Sequence, residues 1–170
     1  MSKLFKRHPG LFKENAQTMV EFALVFPILL LITYGIIEFG RIVFIYTSVT
    51  SAAREGARYG AAAGEGAGGV RQFADCGGIR TAVRNATFLV TIPNDSDIEI
   101  WYALNHTSGF LYDCASIGSH ISQFGDGPRI RVIVRASYSP IIPFVGLDQS
   151  PVLITRQNTR TILMDIKIEP

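Results

Sequence analysis

One stretch constrains this chain more than any other. From Phe22 to Ile37 the sequence reads "FALVFPILLLITYGII", in which every residue is apolar or tolerated in a bilayer, Pro27, Thr33, Tyr34 and Gly35 being the weakest members. After Glu38 the apolar character resumes from Phe39 to Tyr46, interrupted by Gly40 and Arg41. A helix needs roughly 20 residues to cross a hydrocarbon core, and this region supplies them if flanking charges snorkel to the interface. Pro27 falls near the start, where it is expected to bend the helix rather than abolish it. The alternative is a cleaved signal peptide, whose apolar region runs about 7–15 residues and is followed at once by a small-residue cleavage site. Here the run is longer and the small residues arrive late, after "RIVFIYTSVT". Uncleaved anchoring is the better fit.

Charge orients the anchor. Lys3, Lys6, Arg7 and Lys13 crowd the segment before it, opposed by Glu14 alone. A basic head and a less basic exit place the N-terminus in the cytoplasm and the C-terminus outside. The formal net charge of +2 over 170 residues gives no reason to expect a nucleic-acid partner. Cys76 and Cys114 both follow the span. Outside the cytoplasm they are expected to form a disulfide, closing a loop of about 40 residues and contributing about 3–4 kcal/mol; inside, they are two buried thiols. His106 and His120 stand near them in sequence, but the spacing matches no zinc pattern, so no metal is expected.

Beyond the span, "SVTSAAREGARYGAAAGEG" continues the helix. Ala53, Ala57 and Ala61 recur four apart, as do Ala52, Gly56 and Gly60, giving one stripe with almost no side-chain bulk, while Arg54, Glu55 and Arg58 take another face. Ala53, Gly56, Ala57 and Gly60 are therefore candidate packing residues. The stripe can lie on the chain's own sheet or on another subunit, and both readings stand. Glu38 and Arg41, three apart, are expected to pair on one helix face near the outer membrane boundary. Gly64, Gly66, Gly68 and Gly69 then break the helix as a hinge. Their partial likeness to a G-x-G-x-x-G site lacks the preceding strand that a dinucleotide fold needs.

The remainder reads as α+β. "VRQFADCGGIRTAVRNATFLV" has helical character interrupted at Gly77-Gly78, with Ile79, Val83 and Ala86 at core spacing. "DIEIWYAL" alternates, with Ile98, Ile100 and Tyr102 on one side. "RIRVIVRASY" is the clearest strand, with Ile130, Val132, Val134, Ala136 and Tyr138 on one face and Arg129, Arg131, Ile133 and Arg135 on the other. "TRTILMDIKIE" supplies a last strand, with Ile162, Met164, Ile166 and Ile168 in step. Phe144 and Leu147, between prolines, are expected in the core. The expected fold is α+β, a long N-terminal transmembrane helix followed by a small extracytoplasmic domain of meander-like antiparallel strands packed on a helix. No nucleophile–base grouping, phosphate loop or metal cluster emerges, so catalysis is not expected and no cofactor is implied.

The stretch "QTMVEFALVFPILLLITYGIIEFGRIVFIYTSVTSAAREGARYGA", Gln17 to Ala61, resembles the N-terminal signature of TadE-like pseudopilins (minor pilins) of tight-adherence, or Tad, Flp-type pilus systems. The matching elements are a short basic leader, Q-[ST]-x-V-E-[FY], an apolar run with an early proline, E-[FG]-x-R-type exit residues, and A-A-R-E-G-A-R-Y. The resemblance implies a prepilin peptidase cutting between Ala16 and Gln17, alanine standing where the family usually has glycine. It implies partners among other pilin and pseudopilin subunits, the Tad assembly platform and the inner membrane, and it casts Glu21 as the residue that sets helix register. The organisation it implies is a basic cytoplasmic leader (1–16), a transmembrane helix (17–46), an extension of that helix (47–63) and an extracytoplasmic α+β domain (64–170). Two functions from different classes remain open: a subunit drawn into a pilus, and a static single-pass protein whose outer domain binds a surface ligand. A secreted soluble domain, third, needs cleavage after Tyr46.

Overall fold

The computed structural model describes residues 11–88, 90–141 and 150–164. Helix α1 runs from Leu11 to Ala61, α2 from Cys76 to Asn85, and four strands follow: β1 Ile98–Ala103, β2 Tyr112–Asp113, β3 Arg129–Tyr138 and β4 Val152–Thr161. The chain divides into two compact units, Met1–Arg41 and Ile42–Pro170, so the last turns of α1 belong with the α+β domain that follows.

In the first unit α1 passes through Pro27 without a break. In the second, the strands form one antiparallel sheet in the order β2-β1-β3-β4. This is not a simple meander, because the connection from β2 to β3 crosses β1. The alternation in β1 and β3 sets the core: Ile98, Ile100, Tyr102, Ile130, Val132 and Val134 are all essentially inaccessible. Each such burial contributes about 1.5–3 kcal/mol over exposure. The α1 residues Val49, Ala52, Ala53 and Ala57 close over that face together with Ile79 and Val83 of α2.

Backbone approach decides this packing. A Cβ at Gly56 would collide with Val83 and lie 3.2 Å from Val132, and one at Gly60 would collide with Ile130 and lie 3.1 Å from Ile79. The small-residue stripe is thus spent on the chain's own α2 and sheet.

The glycine segment after Ala61 does end the helix, but it is a hydrogen-bonded loop rather than a free hinge. Gly66 N–H donates to Val70 O at 2.6 Å and Gln72 N–H to Gly64 O at 3.0 Å. Gly68 and Gly69, at φ 80° and 75°, make its left-handed turn. Gly77 and Gly78 do not interrupt α2 but form its first turn. Asp75 caps it, accepting from Gly78 N–H at 2.8 Å. Tyr59 donates to the other Asp75 oxygen at 2.9 Å, tying the end of α1 to the start of α2.

The last strand lies elsewhere than its apolar alternation suggests. β4 spans Val152–Thr161 and pairs with β3 from Val152↔Tyr138 to Thr161↔Arg129. β3 is ten residues long, and β4 pairs with it along its full length despite polar side chains of its own. Ile162 is buried just past the strand, whereas Ile166 and Ile168 lie outside the described residues, as do Phe144 and Leu147.

Candidate functional site

Of the residues singled out in the first unit, Gln17 and Glu21 stand on open helix and Glu38 does not. Gln17 and Glu21 are exposed, one helical turn apart, the amide of Gln17 reaching the Glu21 carboxylate at 3.4 Å. Ala16 precedes them in the same helix. The large apolar side chains that follow are open: Met19 is 75% exposed, Phe22 63%, Leu24 68% and Phe39 69%. Phe22 and Phe26 stack on each other at 5.3 Å. Residues Gln17–Ala61 form one helix long and apolar enough to cross a membrane, with a mean hydropathy of 2.3 in its most apolar window. So much apolar surface on a helix is costly in water and favourable in lipid or against other apolar helices.

Within the run, polar groups are answered locally. Thr33 Oγ1 donates to Leu29 O at 2.8 Å. Glu38 is 8% exposed and accepts from Tyr34 Oη at 3.0 Å and Arg41 Nη1 at 2.9 Å. An acid and a base on one face reduce each other's cost in an apolar setting.

In the second unit Cys76 and Cys114 form a disulfide that joins the start of α2 to the residue after β2. Tyr102, on β1 beneath them, donates to Phe73 O and lies 3.4 Å from the Cys114 sulfur. Its burial pushes the phenol well above the usual tyrosine range. His106 and His120 are not brought together with the cysteines: His106 approaches Asp126 O, and His120 lies against the Tyr112 ring. Among the described residues no group of three or more His, Cys, Asp or Glu is placed to hold a metal.

A cleft of about 410 Å³ opens beside β1, lined in part by Arg80, Asp95, Glu99, Trp101 and Asp113. Its carboxylates are all engaged. Asp95 pairs with Arg84, with Arg80 at 3.8 Å, and the Arg84 bond holds it below the usual range. Glu99 accepts from Arg135 at 2.6 Å and from the Trp101 indole at 3.2 Å, and the Arg135 bond lowers it. Asp113 is lowered by its bonds to Ser116. A general acid working near neutral pH needs a raised value, and these three are shifted the other way. The arginine face of β3 is likewise partly engaged: Arg131 lies 3.7 Å and Arg129 5.1 Å from the centre of the Phe110 ring.

Sequence reasoning missed the two-residue β2, the Tyr59–Asp75 tie and the arginine–Phe110 stack. The cap had a signal, an aspartate directly before a helix. The other contacts join residues far apart in the chain and leave no local trace.

The family model described as TadE-like protein matches residues 16–58, about a quarter of the chain. No match is found among curated proteins or among solved structures. The matched segment takes in the Ala16–Gln17 bond, Glu21, the apolar run, the Glu38–Arg41 pair and most of the small-residue stripe, and over it the chain is similar to the TadE-like protein family.

Proposed function

We propose that this chain is a non-catalytic, membrane-anchored pseudopilin, or minor pilin, that takes part in assembling a Tad pilus. The observation that carries this reading is a helix whose apolar side chains from Met19 to Phe39 are open, in the segment matched by the TadE-like family. Such a surface is stored in a bilayer and can pass to the flank of other pilin helices without entering water. The N-terminus lies in the cytoplasm and residues 64–170 outside, where the domain decorates, caps or initiates the filament. A prepilin peptidase cuts between Ala16 and Gln17. The new α-amino group, with an ordinary pKa near 8, pairs with Glu21 of a neighbouring subunit. An unpaired charge in low dielectric costs several kcal/mol, so only the matched axial register is allowed. Glu21 acts as a register key.

N-terminal sequencing of the membrane-extracted protein tests the cut, and the expected first residue is Gln17. Glu21→Ala is expected to insert normally and fail to assemble. An intact Met1 in assembled subunits, or normal piliation by the variant, would overturn the register role. An intact N-terminus with a separate ligand-dependent partner would favour the static binding protein instead.

A further inference from the structure

We propose that the free edge of β4 is an acceptor for an acidic extended segment of a partner protein, which adds to the sheet as a further strand. The inference stands on the outer domain alone and is independent of how the helix is used. Among the described residues β4 pairs with β3 and with no other strand. In an antiparallel ladder successive residues point their backbone groups to opposite sides. Ile162 N–H donates to Pro128 O on the β3 side at 2.8 Å, which sets the parity. The odd-numbered residues Leu153, Thr155, Gln157, Thr159 and Thr161 therefore aim their N–H and C=O groups at the open edge.

Exposed edges are usually blunted by proline, charged side chains, bulges or short length. Of these β4 has only charge, in Arg156 and Arg160, two residues of one sign, which bar a like-charged edge and leave an oppositely charged one admissible. "VLITRQNTRT" contains no proline or lysine, and its register with β3 runs unbroken through all ten residues. An edge so regular is shaped to be paired.

Charge selects the occupant. β3 and β4 carry Arg129, Arg131, Arg135, Arg156 and Arg160 and no acidic residue. Arg156 and Arg160 stand four apart on the helix-facing row of the edge strand itself. Arg156 lies over the Tyr46 ring at 4.3 Å, while Arg160 is exposed. A second copy of β4 would set arginine near arginine, and like charges opposed across strands are unfavourable. A partner strand with carboxylates four residues apart matches both guanidinium groups.

The test uses the full chain in detergent micelles and two synthetic ten-residue peptides of alternating threonine and valine. One carries glutamates four residues apart and the other lysines at the same places. The glutamate peptide is expected to bind at least tenfold more tightly, and more weakly as salt rises. Hydrogen exchange is expected to slow selectively at Thr155, Gln157 and Thr159. Gln157→Pro removes an outward N–H and spares the bonds to β3, so it is expected to abolish binding with little change in melting. The double variant Arg156→Gln, Arg160→Gln is expected to erase the preference between the peptides. Equal binding of both peptides, or binding of neither, overturns the proposal. So does prior protection of the odd-numbered amides, whether it is independent of protein concentration (an edge already covered by the chain) or grows with it (a second copy).

Discussion

Gly56 shows how much rests on a missing methyl group. A Cβ there would collide with Val83 and press on Val132. Glycine to alanine in a helix gains about 1 kcal/mol of propensity, whereas overpacking a filled core costs about 1–3 kcal/mol. The second effect is the larger, so Gly56→Ala is expected to lower the melting temperature of the protein in detergent; a rise would show that the close approach is dispensable. Glu99 belongs to the same scale. Its hydrogen bond to Arg135 lowers its pKa below the ordinary carboxylate value, so the folded state binds this proton less readily than the unfolded one. Its contribution is complete above the unfolded value, about 4.3, and is lost as pH falls through the folded one. The pair is partly exposed, so the effect is modest. Denaturant titrations from pH 7 down to 3 are expected to show a shallower loss of stability in Glu99→Gln than in the parent. Parallel curves would assign the acid sensitivity to other groups.

Among the elements, α2 was legible from Ile79 and Val83, while its start was misread. Gly77-Gly78 looks like an interruption because glycine is a poor helix former in the interior. In the first turn behind a capping aspartate that cost is met by Asp75, whose carboxylate also receives the Tyr59 hydroxyl. Asp75→Ala removes a cap worth about 0.5–2 kcal/mol and leaves the half-buried tyrosine without its acceptor. A loss near the upper end of that range is expected in urea unfolding, with Asp75→Asn recovering most of it; equal losses in the two variants would argue against the cap. β4 illustrates the opposite limit. Its helix-facing row includes Arg156, Asn158 and Arg160, which no apolar alternation would mark as strand. The ladder to β3 forms it, and Arg156 finds its place over the Tyr46 ring.

At the scale of the molecule, the disulfide joins α2 to the sheet beside β2, a strand of only two residues. It closes a loop with a sequence separation of 38. In chain-entropy terms such a loop is worth about 3–4 kcal/mol. Reduction is expected to lower the melting temperature of the whole protein and to free two thiols; an unchanged melt after complete reduction would show that the bridge constrains nothing. The apolar run, the continuation of its helix, the strand at β3 and the inward rows Ile98–Ile100–Tyr102 and Ile130–Val132–Val134 were all determined by the sequence. Each is a periodicity carried by neighbouring residues, and such patterns act before any tertiary contact exists. The side on which Gly56 and Gly60 pack, the polar strand at the edge, the pairing of Glu99 with Arg135 and the tie from Tyr59 to Asp75 were decided only by the tertiary structure. They join residues distant in the chain, and no local pattern encodes which distant partner a side chain will meet.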